Sequence, residues 1–389
     1  MKKIYLQITP FFPTAKSFRG PYIYDQVKAI GRNSDFEVVV IKTVSPYTKN
    51  YEKSYMYGGI RVHSFQVYDL PSSVFPGLFH SLNVVRLERF IRNELEIPFS
   101  DIAVIHSHVA YPAGALAADL GRRHGIKNVV QHHGLDVMQL TNGRLLRGPL
   151  QKANERFIRR RFLKTVNTTD LNIGVSRKVI DEIMKTDGVR NQKSYVLYNG
   201  VDREKFYRLD ASKEKERFEI GCIGNFWPIK GQITLLKALN KVVKAEKTGN
   251  IHVTFVGSGP ELSRCLTFVK EHQLEEYVTF RPEIDHSRLN DFYNSLDLFV
   301  LPSYYEALGC VYTEALQVGV PVIAVEGQGI EELIREKDRP LMLIGKDDVD
   351  KLSELILKWK NLPPHQRRAD YDLSIDRFIT DFLKREILQ

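Results

Sequence analysis

At 389 residues, 43% hydrophobic and 26% charged, the chain is too long for one ordinary core and too evenly mixed for a disordered or fibrous one, so two globular domains are expected. The formal net charge of +9 points to anionic partners, a phosphorylated substrate or an anionic membrane face; with no zinc-finger spacing or RNP-type motif, nucleic acid is set aside. Cys222, Cys265 and Cys310 lie far apart without ligand spacing, which argues against a disulfide framework and for a reducing, cytoplasmic compartment.

Residues 3–9 read as a first buried strand. The opening MKKIYLQITPFF has an apolar run broken by Gln7, Thr9 and Pro10, which suits a strand better than a signal peptide. No segment approaches the roughly 18 apolar residues of a membrane span. A loop over 10–20, rich in Phe, Pro and Ser, leads to a helix over 22–30 and a strand over 36–42. Residues 47–59 look irregular, and 60–67 alternate like a strand. A helix is expected over 82–95, then a strand over 102–108 ending in His106-Ser107-His108. A helix over 113–124 and a strand over 129–133, ending in His132-His133-Gly134, come next. A long basic helix over 146–164 precedes strands over 171–175 and 195–198.

The turn Asn199-Gly200-Val201-Asp202 and the charged stretch 203–217 mark a domain boundary. Alternation restarts with strand 218–223, helix 233–244, strand 251–256, helix 261–272, strand 278–280 and helix 289–296. Strands over 298–301 and 320–325 bracket a helix that starts near Gly309. Gly327 and Gly329 turn into another helix, 341–344 is a strand, 349–362 a helix, and 367–388 an amphipathic helical tail. Such alternation argues for parallel sheets with crossover helices, an α/β chain of two doubly wound units. The divisions are 1–203, 204–366 and the tail 367–389. Ligands in such sheets bind beyond the carboxyl ends of the strands.

The stretch LFVLPSYYEALGCVYTEALQVGVPVIAV carries the densest chemistry. Glu306 precedes a helix and Glu314 lies inside it, five residues from Gly309 or roughly 7.5 Å along the axis. Between them come the first-turn amides around Gly309, Cys310 and Val311, which attract an anion. The order acid, anion site, acid matches sugar hydroxyls, diphosphate and ribose diol, although two solvated glutamates beside an ordinary helix start would read the same. Lys230, in Gly224-Asn225-Phe226-Trp227-Pro228-Ile229-Lys230-Gly231, follows a strand and opens a helix, where a cation meets a diphosphate; an exposed lysine is the plain alternative. Gly257 lies in a Gly-Ser-Gly turn, weak evidence alone. The backbone near Ile284 has the means to pair with a nucleobase edge.

In the first half, Gly20 would let a substrate approach the backbone, and His133 ends a strand where it could donate to a sugar or phosphate. His106 and His108 with His132 or His133 lack the Asp/Glu or Cys set of a metal site, and Asp347-Asp348-Val349-Asp350 reads as a helix N-cap, so no metal is expected. The segment 144–164 interleaves Arg144, Arg147, Lys152, Arg156, Arg159, Arg160, Arg161 and Lys164 with Leu145, Leu146, Leu150, Phe157, Ile158 and Phe162. It suits either an interfacial helix at an anionic membrane or a core-facing helix with a solvated basic face.

Together, Glu306-x7-Glu314 in EALGCVYTEALQVGVPVIA and, in order along the chain, HHGLD, YNGVDREKF, GNFWPIKG and FVGSGPE resemble the retaining glycosyltransferases of family 4, with the GT-B fold. The resemblance runs over essentially the whole chain. It implies two Rossmann-like domains facing across a cleft, acceptor-binding first and nucleotide-sugar-binding second, with the C-terminal helix crossing back to the first. It implies Glu306 at the donor-sugar hydroxyls, the amides of Ala307, Leu308, Gly309, Cys310 and Val311 at sugar and phosphate, Glu314 at the ribose, and Lys230 at the diphosphate. His133 would contact the donor sugar, and Gly20 would border the phosphates and acceptor. Glu306, Lys230 and His133 would be catalytic, while Asn225, Gly257 and Ile284 complete the donor site. No cofactor or metal is implied beyond the nucleoside-diphosphate sugar. Two departures stand out: the family usually has Arg where this chain has Asn225, and two adjacent glycines where it has Arg19-Gly20-Pro21. Arg19 is a candidate replacement cation.

The expected activity is retaining, metal-independent transfer of a sugar to an acceptor hydroxyl. The acceptor would be a saccharide or lipid-linked one in bacterial surface polysaccharide or glycolipid synthesis. The expected place is the cytoplasm, peripheral on the inner face of the plasma membrane if the basic segment docks there. The alternative is a non-catalytic sugar-nucleotide or glycan-binding subunit of a polysaccharide assembly complex; Asn225 leans that way, Glu306, Glu314 and Lys230 against it.

Overall fold

Strands whose residues are largely apolar on both faces build two sheets covered by helices, parallel throughout except for the β3–β4 edge pair of the first. The computed structural model describes residues 2–15, 17, 19–49, 51–70, 74–134, 148–209, 217–246 and 250–385. The chain divides into two compact units, residues 1–199 with 375–389, and residues 200–374.

The first unit has an eight-stranded sheet in the order β3-β4-β2-β1-β5-β6-β7-β8. The strands are β1 (Ile4–Thr9), β2 (Glu37–Val44), β3 (Ser54–Tyr57), β4 (Ile60–Gln66), β5 (Ile102–His108), β6 (Lys127–His132), β7 (Leu171–Gly174) and β8 (Ser194–Val196). Helices α1 (Pro21–Asn33), α2 (His80–Arg89), α3 (Ala115–His124), α4 (Gly148–Thr168) and α5 (Arg177–Met184) connect them. One face packs Leu6, Ile8, Ile105, Leu116 and Leu120 with Val84 and Leu87. The other packs Tyr5, Val104, Val129 and Ile173 against Ala29 and Ile30 of α1.

In the second unit the order is β11-β10-β9-β12-β13-β14. Its strands are β9 (Phe218–Ile223), β10 (Ile251–Val256), β11 (Val278–Arg281), β12 (Leu298–Val300), β13 (Val322–Val325) and β14 (Leu343–Ile344). Its helices are α6 (Gln232–Glu246), α7 (Leu262–Glu271), α8 (Leu289–Asn294), α9 (Cys310–Gln317), α10 (Arg339–Met342) and α11 (Val349–Asn361). The last helix, α12 (Ile375–Leu383), belongs to the first unit. Its Ile375, Ile379 and Phe382, one apolar stripe, enter the Tyr5–Ile30 core, and both Asp376 oxygens accept from Arg32 at 3.0 and 2.9 Å.

Five local expectations need correction. Residues 47–59 are not all irregular: Ser54–Tyr57 pairs antiparallel with Ile60–Gln66 through a Gly58-Gly59 turn, both glycines at positive φ (52° and 82°). Arg177–Met184 is a helix that no sequence element anticipated, capped by Ser176, whose Oγ accepts from the Val179 amide. Gly329–Glu332 makes one short 3-10 turn and not a full helix. Leu341 and Met342 close a short helix ahead of β14. The tail is helical only from Ile375; residues 367–374 are irregular and belong to the second unit, where Leu373 O accepts from Val201 N at 2.8 Å.

Along α4, Phe162 is buried and Phe157 and Ile158 half-buried, while Lys152, Arg156, Arg159 and Arg160 are exposed. This helix presents a solvated basic face over a core-facing apolar one, with Leu150 (61% exposed) the exception. Arg144 and Arg147 lie outside the described residues. From this helix Arg161 donates to Gly77 O at 2.6 Å, and Leu78, Phe79, Leu82 and Val85 are exposed at and beside α2. No helix among the described residues is long and apolar enough to cross a membrane.

Candidate functional site

In the second sheet the chain runs outward from β9 to β10 and β11, then returns to start β12 on the other side of β9. The reversal leaves a crevice between the ends of β9 and β12. The loop after β9 carries Lys230 and the loop after β12 carries Glu306. Lys230 Nζ meets Glu306 Oε1 at 2.5 Å, with the side chains 24% and 12% exposed.

Backbone geometry brings them together. Pro228–Lys230 makes one 3-10 turn and stops at Gly231, φ 67°. A Cβ there would lie 2.3 Å from Pro302 O, so only glycine lets the two loops touch. The loops are then tied twice: Ser303 Oγ and Tyr304 N donate to Ile229 O, both at 3.0 Å. From the far side, Gln328 Oε1 accepts from Glu306 N at 2.8 Å, and Gly329 N donates to Glu306 O at 3.3 Å. A Cβ on Gly329 would fall 1.9 Å from Ala307 O. Glu306 is thus held by its main chain from two directions, which leaves its carboxylate as the part that can exchange partners.

Gly309, φ 83°, caps α9, where a Cβ would strike the Tyr312 ring at 2.6 Å. Tyr312 is buried and donates to Leu301 O, fixing the helix start to the end of β12. Leu308 is buried, and Ala307, Cys310 and Val311 are half-buried around that start. Glu314, one turn further, accepts on Oε2 from Tyr293 OH at 2.8 Å. Tyr293 is fully buried; burial first, then the Glu314 charge, pushes its hydroxyl far above its ordinary value, so it stays a neutral donor. Glu306 therefore faces a cation and Glu314 a neutral hydroxyl.

The remaining expected donor residues line the same sheet edge. Asn225 is exposed beyond β9. Gly257, beyond β10, is buried at φ 138°, and a Cβ would lie 2.4 Å from Gly224 O; this glycine supports the Lys230 loop by close packing. Ile284 is half-buried beyond β11.

Gly20 and His133 belong to the first unit. Gly20, φ 85°, precedes α1, where a Cβ would sit 2.9 Å from the Phe11 carbonyl. Tyr22, two residues on, has its ring 5.0 Å from that of His133, which directly follows β6. His133 Nε2 lies 2.8 Å from His108 Nδ1. His106 and His108 are buried and engaged with Tyr5, Gln7 and His133, an arrangement of ring stacking rather than of convergent ligands. Arg19 is exposed.

Sequence reasoning missed Gln328, Tyr293 and the supporting role of His108. Gln328 lies in a Gly-Gln-Gly turn after a strand, a usable signal. Tyr293 sits on a helix 21 residues before Glu314 and carried none.

Two family models match the chain: "Glycosyltransferase Family 4" over residues 20–205 and "Glycosyl transferases group 1" over residues 204–372. Bacillus subtilis "Putative teichuronic acid biosynthesis glycosyltransferase TuaC" is 28% identical over 66% of this chain and 61% of its own length. The "N-acetyl-alpha-D-glucosaminyl L-malate synthase" of Bacillus anthracis is 27% identical over 64% of this chain and 61% of its own length. The chain thus spans about three-fifths of those relatives. Among solved structures, sucrose-phosphate synthase from Thermosynechococcus elongatus has a TM-score of 0.68 at 17% identity, covering 98% of this chain and 94% of that one. Anabaena HepE in complex with UDP and glucose has a TM-score of 0.65 at 16% identity over the same shares. At such identities the structural likeness speaks for the fold.

Proposed function

The chain belongs to glycosyltransferase family 4 and has the GT-B fold, and from this and the site's geometry we propose that it is a retaining, metal-independent glycosyltransferase using a nucleoside-diphosphate sugar. The observation that carries the reading is the Lys230–Glu306 contact at the switch point of the second sheet. A diphosphate entering the crevice offers Lys230 a stronger anionic partner and releases Glu306 to accept sugar hydroxyls. The amides of residues 307–311 receive sugar and phosphate oxygens at the start of α9. Glu314, held by Tyr293, accepts from the ribose diol.

In the reaction the bond from the anomeric carbon to the phosphate oxygen breaks, and a bond to the acceptor oxygen forms on the same face. The acceptor's proton passes to the departing diphosphate. Lys230 and the helix start stabilise the charge that develops there, the kind of electrostatic contribution that dominates many transferases. His133 is assigned to the donor sugar by its place in the HHGLD motif. The acceptor is proposed to be a saccharide or lipid-linked one. The basic face of α4, beside exposed Leu78, Phe79 and Leu82, supports docking on an anionic cytoplasmic membrane face.

Incubation with UDP-, GDP- and ADP-sugars tests the proposal. Slow release of nucleoside diphosphate, abolished by Lys230→Ala, supports it. Binding of a sugar nucleotide without any turnover, with or without acceptor extracts, would instead indicate a non-catalytic binding subunit.

A further inference from the structure

Behind His133 lies a row of buried polar side chains to which sugar transfer assigns no task. Gln7 of β1, His106 and His108 of β5 and Gln131 of β6 all have no solvent exposure. The sheet register sets them side by side: Gln7 pairs with His106, and His108 with Gln131. The rings of His106 and His108 stack at 4.9 Å, and those of His108 and His133 at 5.1 Å. Tyr5 OH is 2.7 Å from His106 Nδ1, and Gln26 of α1 donates to Gln131 Oε1 at 2.8 Å. Burying so many polar groups is unfavourable unless each is paired, by about 1–3 kcal/mol for each left without a partner. Apolar residues at these strand positions would make an easier core.

The hydrogen bonds have a direction. The Gln7 side-chain nitrogen contacts His108 Nε2. An amide nitrogen only donates, so His108 Nε2 accepts and the single proton of a neutral His108 sits on Nδ1. That proton is donated to His133 Nε2, 2.8 Å away. His133 Nε2 is then an acceptor, and its own proton sits on Nδ1. Burial holds His108 well below the usual imidazole range and pushes His106 down to about 3, so neither competes as a cation.

We infer that Gln7 and His108 are positioning residues that fix His133 as its neutral Nδ1–H tautomer. Protonating His133 on Nε2 would set two N–H groups against each other unless the Gln7 amide turned over. Gln7 Oε1 has no hydrogen-bond partner among the described residues, so the His108 contact alone distinguishes the two ends of the amide, and Gln7→Glu, which presents only oxygens, tests that orientation. The use of that tautomer, donation to the donor sugar, rests on the transferase reading; the tautomer itself does not.

Ring-nitrogen NMR of histidine-labelled protein decides it, with His133 assigned by difference against His133→Gln. The expected wild-type pattern is a proton on Nδ1 of His133. In His108→Phe, which keeps a ring in the stack, that preference should be lost, and Gln7→Glu should move the proton towards Nε2. With UDP-glucose as donor, kcat for hydrolysis should fall on the order of tenfold in both variants, KM staying within about twofold, the loss of about one hydrogen bond made in the transition state. UDP binding, read by thermal shift, should be unchanged and show that the variants fold. A wild-type His133 protonated on Nε2, or a His108→Phe spectrum identical to wild type, overturns the inference. If wild-type protein hydrolyses no sugar nucleotide while the tautomer responds as described, the transferase reading fails and the relay stands.

Discussion

The two units solve the same problem, holding a polar group at a strand end, in opposite ways. In the second unit Glu306 is set by loops: four hydrogen bonds to main-chain atoms and two glycine contacts bring it to a charged partner, Lys230. In the first unit His133 is set from inside the sheet by buried, uncharged side chains. A loop-built charged site keeps its groups near water, where a ligand's phosphate can displace one partner from another. A strand-built neutral relay cannot exchange partners so freely, but it fixes where a proton sits. The contrast teaches that charge balance belongs to the second unit and proton placement to the first.

The largest effect should come from breaking the charged pair. Lys230→Ala or Glu306→Ala is expected to lower kcat by about 10²- to 10³-fold, the range for removing one preorganised charge-stabilising group. Each single change also leaves a mostly buried charge without its partner, so thermal melts should show a loss of about 1–3 kcal/mol. The double variant Lys230→Met with Glu306→Gln should be less destabilised than the sum of its singles, because the two side chains are in contact. Additive losses in that cycle would show that the pair is not coupled.

Next in size is Gly329→Ala. The added methyl would be placed 1.9 Å from Ala307 O, so the loop carrying Glu306 must shift. Activity should drop at least about tenfold, since small displacements at a reacting centre are expensive. A secondary-structure spectrum like wild type's would confirm that only the loop moved. Retained activity would mean that Glu306 tolerates displacement, which would blur the contrast between the two units.

The neutral region should reveal itself through pH. Burial pushes His106 down to about 3 from its ordinary value near 6.5. Its folded pKa is depressed, so the unfolded chain binds the proton more readily. Stability is then complete above about pH 6.5 and is lost as pH falls towards 3, by about 1.4 kcal/mol per pH unit for this group. His108, shifted the same way, steepens the slope. Melting temperatures between pH 7 and 4 should fall accordingly, and His106→Phe should flatten the curve. An unchanged slope in that variant would place the acid sensitivity elsewhere.

The charged site was far more legible in the sequence than the neutral one, for a physical reason. Glu306, Lys230 and Gly309 sit in loops between apolar strands, where a polar residue stands out against its neighbours. Gly231 and Gly257 could be seen, but the close approaches that require them depend on which loops touch. Gln7 and His108 lie within strands and pair across β1 and β5, 101 residues apart in sequence, a relation that no local pattern encodes. His106 and His108 accordingly read as metal candidates to be set aside. Most of the alternation was visible because buried parallel strands are continuous apolar runs. The strand Ser54–Tyr57 escaped because it lies at the sheet edge, where its half-exposed, Tyr-rich residues form no apolar run. The helix Arg177–Met184 escaped because it has only 8 residues, and its apolar positions Val179, Ile180 and Ile183 are too few to establish a helical period.

The smallest predicted effect isolates charge as the variable. Glu306 and Glu314 are carboxylates of the same unit on either side of the α9 start; Glu306 meets the cation Lys230, and Glu314 accepts from the neutral hydroxyl of Tyr293. Tyr293→Phe removes the hydroxyl that donates to Glu314 at 2.8 Å and preserves the buried ring. One neutral hydrogen bond to a charged acceptor contributes about 1.5–3 kcal/mol where fully desolvated, and less here because Glu314 is only half-buried. If Glu314 anchors the ribose, the loss falls on ground-state and transition-state binding alike. KM for the nucleotide sugar should then rise by about three- to tenfold with kcat nearly unchanged. Glu306→Gln, which keeps shape and loses charge, should show the reverse pattern, a fall in kcat with little change in KM. If Tyr293→Phe lowers kcat instead, Glu314 acts on the reacting centre as well, and the division between a catalytic carboxylate paired with a cation and an anchoring one held by a neutral hydroxyl does not hold.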